Sequence, residues 1–252
     1  MKLMRLVAVL AITAAAAAPT NGRAAEIKLI CSNGYHAVID VLGPQYEKAT
    51  GHKLVVTYGL AAALGKEIEG GAPFDVAILA PPQIDALVKQ GKITAATRTV
   101  LARSGMGVMV RSGAAKPDVS TLDAFKNTLL AAKSIAFPPG GQSGIYLVGL
   151  IDRLGLTGAL KDKLKPIASG PLTGETVAKG EAEIGITPIG ELLAVEGVTL
   201  VGPLPQEVQN YIVQVAGISA DSAHDAAARD FLAFLAAPEH RALIVEKGME
   251  PG

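Results

Sequence analysis

Short apolar runs that alternate with helix-like segments restrict the fold of this chain more than any other feature. Residues 27–31 form an apolar run and residues 53–57 are rich in β-branched side chains, so both are predicted strands. Between them, apolar residues recur at helical spacing over 37–50, and Gly51 ends that helix. Such alternation is typical of a doubly wound parallel sheet. Further strands are predicted at 75–79, 105–110, 134–137, 165–168, 184–186 and 211–216, and helices at 61–69, 81–90, 122–131, 143–154, 175–179, 223–236 and 238–247.

The order of these elements predicts two α/β lobes. Lobe 1 covers residues 25–104, and residues 217–252 return to it. Lobe 2 covers residues 105–216 and includes the strands that cross between the lobes. A cleft between two lobes is a preferred site for a small ligand, and hinge closure is the motion expected around it.

The first 24 residues have the layout of a secretory signal peptide. Lys2 and Arg5 precede an apolar run at 6–18, and small residues follow up to Ala24, after which cleavage is predicted. The alternative, an uncleaved anchor, is disfavoured because a membrane span needs about 20 apolar residues. No cysteine directly follows the apolar run, so we expect a protein that is free in the periplasm.

Charge and cysteine content exclude several function classes. Without residues 1–24 the chain has 23 acidic residues and three fewer basic ones, a net charge of −3, and it has no basic stripe, so a nucleic-acid partner is not expected. The single cysteine, Cys31, allows no internal disulfide and is predicted to be a buried thiol. One cysteine and scattered histidines match no zinc spacing. We expect a monomer without cofactor or metal.

Three turns after predicted strands carry the candidate site. Residues 31–36, 57–62 and 138–144 each open a helix, where the first N–H groups lack partners and the dipole is positive. Such ends can hold an anion without arginine, beyond the carboxyl ends of the strands. The alternative is that these residues are ordinary caps and turn formers. The predicted ligand-binding residues are Ser32, Asn33, Gly34, Tyr58, Gly59, Leu60, Ala61, Gln142, Ser143, Gly144, Thr187 and Pro188.

Thr187 and Pro188 come from a fourth turn, after the predicted strand at 184–186. In that turn Thr187 is a possible donor to the ligand. Glu191 is expected to cap a helix or face solvent, because a carboxylate beside an anion is costly.

Four segments, 27–30, 63–76, 143–146 and 179–186, resemble the molybdate-binding family of ABC-transporter solute receptors. The resemblance covers nearly all of the chain after the signal peptide. It implies an α/β, two-lobed type II periplasmic binding protein fold, each lobe a doubly wound sheet with flanking helices. It also implies an anion in the interlobe cleft, a permease partner in the inner membrane and no enzyme activity.

Three departures from that family bear on the ligand. The resemblance places two serine hydroxyls and one tyrosine hydroxyl of the family at Gly34, Ala61 and Pro188. An unpaired buried polar group costs about 1–3 kcal/mol, so three lost donors weaken molybdate binding by orders of magnitude. The smaller side chains are expected to enlarge the pocket. We therefore predict an organic di- or tricarboxylate, with a molybdate- or tungstate-type oxyanion as the alternative.

A serine hydrolase is the alternative from another class. Gly141-Gln142-Ser143-Gly144 resembles a nucleophile elbow, but Ile145 stands where the motif needs glycine. His36 is the histidine best placed to act as a base for Ser143. Delivery of a ligand to a sensor, or an assembly role, also stays open. We expect no catalytic residue.

Overall fold

The computed structural model describes residues 24–252, so the predicted signal peptide lies, apart from Ala24, outside the described residues. The described part is an α/β chain with one ten-stranded sheet in the order β2-β1-β3-β9-β4-β7-β5-β6, with β8 and β10 also paired to β4. The strands are β1 (Glu26–Ser32), β2 (Lys53–Gly59), β3 (Val76–Leu79), β4 (Thr99–Arg111), β5 (Ile135–Phe137), β6 (Leu164–Pro166), β7 (Ile184–Pro188), β8 (Val198–Pro203), β9 (Tyr211–Ile218) and β10 (Glu250–Pro251).

In residues 24–252 ten α-helices flank this sheet, and short 3₁₀ turns lie at Asn33–Tyr35, Ala95–Thr97, Gln206–Val208 and Pro238–His240. The helices at 61–69 and 122–131 have the predicted bounds. The helix that begins at His36 ends before Gly51, as predicted. The helices are α1 (His36–Thr50), α2 (Ala61–Glu69), α3 (Pro81–Lys89), α4 (Leu122–Ala131), α5 (Gln142–Arg153), α6 (Thr157–Leu160), α7 (Gly170–Ala178), α8 (Ile189–Leu192), α9 (Asp225–Leu235) and α10 (Arg241–Glu246).

The sheet contains two parallel groups joined by antiparallel strands. β1 pairs in parallel with β2 and β3, and β5 pairs in parallel with β6 and β7. β4 connects the two groups, because it pairs with β9 over Thr99–Gly105 and with β7 over Met106–Val110. Parallel strands direct their carboxyl ends to one edge, so each group presents its strand ends to the region where β4 crosses.

Each group has its own buried core. Tyr35, Leu42 and Phe231 lie in the core around β1, whereas Phe125 and Leu147 lie in the core around β5. Cys31 is fully buried in the first core, as predicted. In the described residues four buried clusters, two around each strand group, agree with a two-lobed organisation, and the exact lobe boundaries stay a prediction.

Several element bounds differ from the prediction. β4 is longer than the predicted 105–110, because its first half pairs in one group and its second half in the other. β8 was not predicted, although Val198–Leu200 is β-branched and apolar. α7 starts earlier than 175, since the Ser169 side chain accepts from the Leu172 N–H and Pro171 stands in the first turn.

Candidate anion-binding cleft

A small cavity lies where the carboxyl ends of the two strand groups meet. Ser32 ends β1, Gly59 ends β2 and Ala80 follows β3, whereas Pro138 follows β5 and Pro188 ends β7, and all five line the cavity. Ligands of open α/β sheets bind at such strand ends. A larger surface groove of about 740 Å³, beside Lys116 and Tyr211, has no such relation to the strand ends. The other lining residues are Asn33, Gly34, Leu60, Ala61, Gly141, Gln142, Ser143, Gly170, Glu191, Ile212 and Gln214.

Three longer helices begin at this cavity. The first residue of α2 (Ala61), the first two residues of α5 (Gln142 and Ser143) and the first residue of α7 (Gly170) all line it. The first intrahelical bonds of α2 and α5 are donated by Leu64 and Ile145, so the preceding N–H groups are available. Together these starts give the cavity a positive potential without a cationic side chain among its lining residues.

Gln214, which the sequence analysis missed, reaches the cavity from β9. Its carbonyl oxygen accepts a 2.6 Å hydrogen bond from the buried Ser32 hydroxyl. A Cβ added to Gly34 would lie 2.3 Å from Gln214 Nε2, so the amide occupies the space that a side chain at Gly34 would fill. Nε2 has no hydrogen-bond partner within residues 24–252, so its two N–H groups are available at the cavity.

Glu191 enters the cavity from the short helix α8. Its Oε2 accepts a 2.9 Å hydrogen bond from the hydroxyl of Thr187, which is fully buried. A Cβ on Gly170 would lie 1.5 Å from that Oε2, so only glycine at this position leaves room for the carboxyl group. Glu191, expected to cap a helix or face solvent, is only partly exposed: the absence of side chains at Gly170 and Gly34 leaves a space that its carboxyl group occupies.

The environment of Glu191 changes its ionisation. Burial raises the pKa of Glu191 to about 7, and the Thr187 hydrogen bond opposes this rise only in part. Glu191 is the only ionisable side chain among the residues that line the cavity. Near neutral pH the cavity therefore holds a carboxyl group that is present in both protonation states.

Most predicted site residues lie at the cavity, and three do not. Nine of the twelve line it. The Tyr58 hydroxyl instead bonds Asp40 at 3.1 Å, because side chains alternate along β2 and Tyr58 points to the other face. Gly144 lies under the turn, where a Cβ would meet the Pro138 carbonyl at 1.9 Å. Thr187 supports Glu191 from behind the cavity wall.

The expectation of an enlarged pocket is wrong for this structure. The cavity volume is about 50 Å³, and one liquid water occupies about 30 Å³. The Gln214 and Glu191 side chains fill the space that the small residues leave. An organic ligand therefore needs these two side chains to move or the two halves of the sheet to separate.

The proposed serine–histidine pair does not form. Ser143 lines the cavity, but His36 does not. His36 Nε2 contacts Asp40 Oδ2 at 2.9 Å, and its ring packs edge-on against Tyr58. His36 is thus held beside the outer face of β2, and no histidine lines the cavity beside Ser143.

A family model described as bacterial extracellular solute-binding protein matches residues 27–250. The chain belongs to this family. A solved relative shows the same fold: the periplasmic molybdate-binding protein of Azotobacter vinelandii, with a TM-score of 0.76 at 22% identity over 90% of this chain and 99% of that one. The type II periplasmic binding fold implied by the sequence resemblance is therefore confirmed.

Two relatives differ in the activities that their names describe. The aconitate isomerase of a Pseudomonas species is 33% identical over 231 residues, which cover 89% of this chain and 87% of that protein. The molybdate-binding protein ModA of Azotobacter vinelandii is 31% identical over 172 residues, 68% of this chain and 67% of that one. Most family relatives are binding proteins, and their names leave the ligand class of this chain open.

Family membership implies a periplasmic location, a small ligand and an ABC-transporter permease as partner. Within residues 24–252, every helix is too short or too polar to span a membrane. The same residues contain no cluster of three or more His, Cys, Asp or Glu side chains suited to a metal ion.

Proposed function

We propose that this protein captures a small organic polycarboxylate, of the tricarboxylate class, in the cleft and delivers it to an ABC-transporter permease. The observation that carries the proposal is the donor set of the cavity. It combines helix-start N–H groups with the Gln214 amide, and its lining includes no cationic side chain.

The position of the donors supports a ligand with separated charges. N–H groups of α2 lie on the β2 side of the cavity and those of α5 on the β5 side, so two carboxylates of one ligand can each meet a helix start. A tetrahedral oxyanion instead needs donors around a single centre. Gly34 and Pro188 provide no side-chain hydroxyl there, and Gln214 and Glu191 take the space beside them.

The comparisons give independent support. Aconitate is a tricarboxylate, and a relative that is 33% identical over most of both chains is named for it. The ModA relative matches a smaller share of the chain. The compounds in both names, aconitate and molybdate, are anions, which fits the positive potential expected from the helix starts.

Binding calorimetry on the protein without residues 1–24 tests this proposal. The panel contains cis-aconitate, trans-aconitate, citrate, succinate, molybdate and sulfate. We expect micromolar or tighter binding of at least one tricarboxylate and much weaker binding of molybdate. Tight molybdate binding with no heat from any carboxylate would reverse the ligand assignment.

Replacement of Gln214 by alanine identifies the site of binding. A hydrogen bond to a charged group contributes about 1.5–3 kcal/mol, so Gln214→Ala should weaken carboxylate binding by about 10- to 100-fold. Gln90→Ala is the matched control, because Gln90 bonds Glu69 on the exposed surface. Equal affinities for the two variants would place the ligand elsewhere.

A second candidate, isomerisation of aconitate, is favoured by the named relative together with Glu191. A base would take a proton from the CH₂ carbon, the double bond would shift by one carbon, and the proton would return to the former alkene carbon. No oxidant or reductant is needed. Glu191 is the one ionisable group among the lining residues that could carry this proton.

Proton NMR of cis-aconitate in D₂O with the protein tests this candidate. Isomerisation would produce the trans isomer and deuterium at carbon, and Glu191→Gln would abolish both. If calorimetry shows binding but cis-aconitate is unchanged after long incubation, the isomerase candidate is excluded and only the receptor function remains.

A further inference from the structure

The carboxyl group of Glu191 lines the cavity that an anion would enter. Thr187 holds Oε2 from behind at 2.9 Å, and the missing side chain of Gly170 leaves the space that Oε2 occupies. Oε1 would lie 3.6 Å from a Cβ on Gly34, which places it near the Gln214 amide at the same wall. The partly buried carboxyl group therefore lies beside the proposed ligand.

Within residues 24–252 no basic side chain forms an ion pair with Glu191. α8 packs against β4, α7, β7, β8 and the turn Asn33–Tyr35, and Gly190 lies against the Lys247 carbonyl, while the Lys247 ammonium contacts Glu246. The charged or titratable side chains on these elements are Tyr35, Arg103, Arg111 and Glu175. Arg103 bonds Glu250, Glu175 contacts Lys179 and Arg111 is exposed, while Tyr35 is buried in the core around β1. Burial raises the pKa of Glu191, and the Thr187 hydrogen bond lowers it in part.

An ionised Glu191 would repel an incoming carboxylate in a space of low polarity, whereas a protonated one would offer it an O–H donor. We propose that Glu191 is a direct ligand-binding residue that donates a hydrogen bond from its protonated carboxyl group to a ligand carboxylate, so that capture takes up one proton. This inference rests on the proposed polycarboxylate function. It explains how the cavity accepts a multiply charged anion without a cationic side chain: a proton supplies the compensating charge.

The inference has a defined pH dependence. Below pH 6 Glu191 is already protonated in the free protein, so the ionisation of Glu191 should not alter the affinity for the ligand. Above about pH 7 the free protein must first take up a proton, and affinity should fall about tenfold per pH unit. Between pH 6 and pH 8 the dissociation constant should therefore rise about tenfold in the wild type. In Glu191→Gln, whose amide donates at every pH, this rise should be absent.

Calorimetry with cis-aconitate and with molybdate as probes, at pH 6, 7 and 8, tests the inference. Each titration is repeated in two buffers of different ionisation enthalpy, which gives the number of protons taken up. We expect about half a proton at pH 7 and close to one at pH 8 for the wild type, relative to Glu191→Gln. The difference in proton uptake between wild type and variant also removes the protons that the probe itself takes up or releases.

The outcomes separate this inference from the proposed function. Binding of cis-aconitate with equal proton uptake by wild type and variant would overturn the role of Glu191 and keep the receptor function. Absence of binding for every tricarboxylate of the panel described above would overturn both. Proton uptake would also argue against the isomerase candidate, because a base must be ionised to take a proton from carbon.

Discussion

Replacing Gly170 by alanine should weaken ligand binding while the fold is retained. The added Cβ would lie 1.5 Å from Glu191 Oε2 and 2.9 Å from Thr187 Oγ1, so the flexible carboxyl group must leave its position. The lost hydrogen bond costs about 0.5–1.5 kcal/mol of stability, and removal of a glycine from the first position of α7 regains about 0.4–1 kcal/mol. The net change in the free energy of unfolding should therefore stay within about 1 kcal/mol, or a few degrees in Tm.

The effect on binding should be much larger. Glu191 would no longer meet the ligand, and loss of a charge-assisted hydrogen bond of about 1.5–3 kcal/mol weakens affinity by about 10- to 100-fold. Calorimetry at pH 6 with cis-aconitate measures this change, and thermal unfolding measures stability. Gly158→Ala is the control, because a Cβ there meets nothing within 4 Å. Unchanged affinity in Gly170→Ala, or a loss of stability far beyond 1 kcal/mol, would refute the reasoning.

Three further predictions concern the cleft and the fold. Gly34→Ser should weaken carboxylate binding because its Cβ would lie 2.3 Å from Gln214 Nε2, whereas Gly34→Ser with Gln214→Ala should gain affinity for molybdate; calorimetry checks both. Tyr46→Phe should lower stability by about 1 kcal/mol and leave binding unchanged, since the buried hydroxyl donates to Ala227 O and lies 3.1 Å from Asp230 Oδ2, which urea unfolding tests. Because the pKa of Glu191 is raised from 4.5 to about 7, the native state binds a proton more tightly than the unfolded state does. The resulting contribution of Glu191 to the free energy of unfolding is complete below pH 4.5 and is lost as pH rises to about 7. Urea unfolding at pH 5 and 8 should show a pH-dependent loss, on the order of 2–3 kcal/mol, that Glu191→Gln lacks.

The sequence was sufficient to predict most strands of the sheet and the strand ends that meet at the cavity. Apolar runs and glycine stops reveal β1, β2 and β5 together with the helices that follow them, because local periodicity depends on burial. Ser32, Ala61 and Ser143 could be placed at the cavity because the turn after a parallel strand always lies at its carboxyl end.

Gln214 and Glu191 could not be placed in the same way. Gln214 lies within a strand, and only the pairing of β9 between β3 and β4 directs it toward Ser32. Glu191 reads as a surface carboxylate unless the glycines at 34 and 170 are known to face it. Both depend on contacts between residues far apart in the chain, and neither periodicity nor local motifs contain that information.

A crystal structure of the protein with cis-aconitate tests the central claim most directly. The account predicts one carboxylate within hydrogen-bond distance of the N–H groups at Ala61 and another at Ser143, with Gln214 Nε2 and the Glu191 carboxyl group on the ligand. A ligand bound outside this cleft, or held mainly by lysine or arginine side chains, would contradict it.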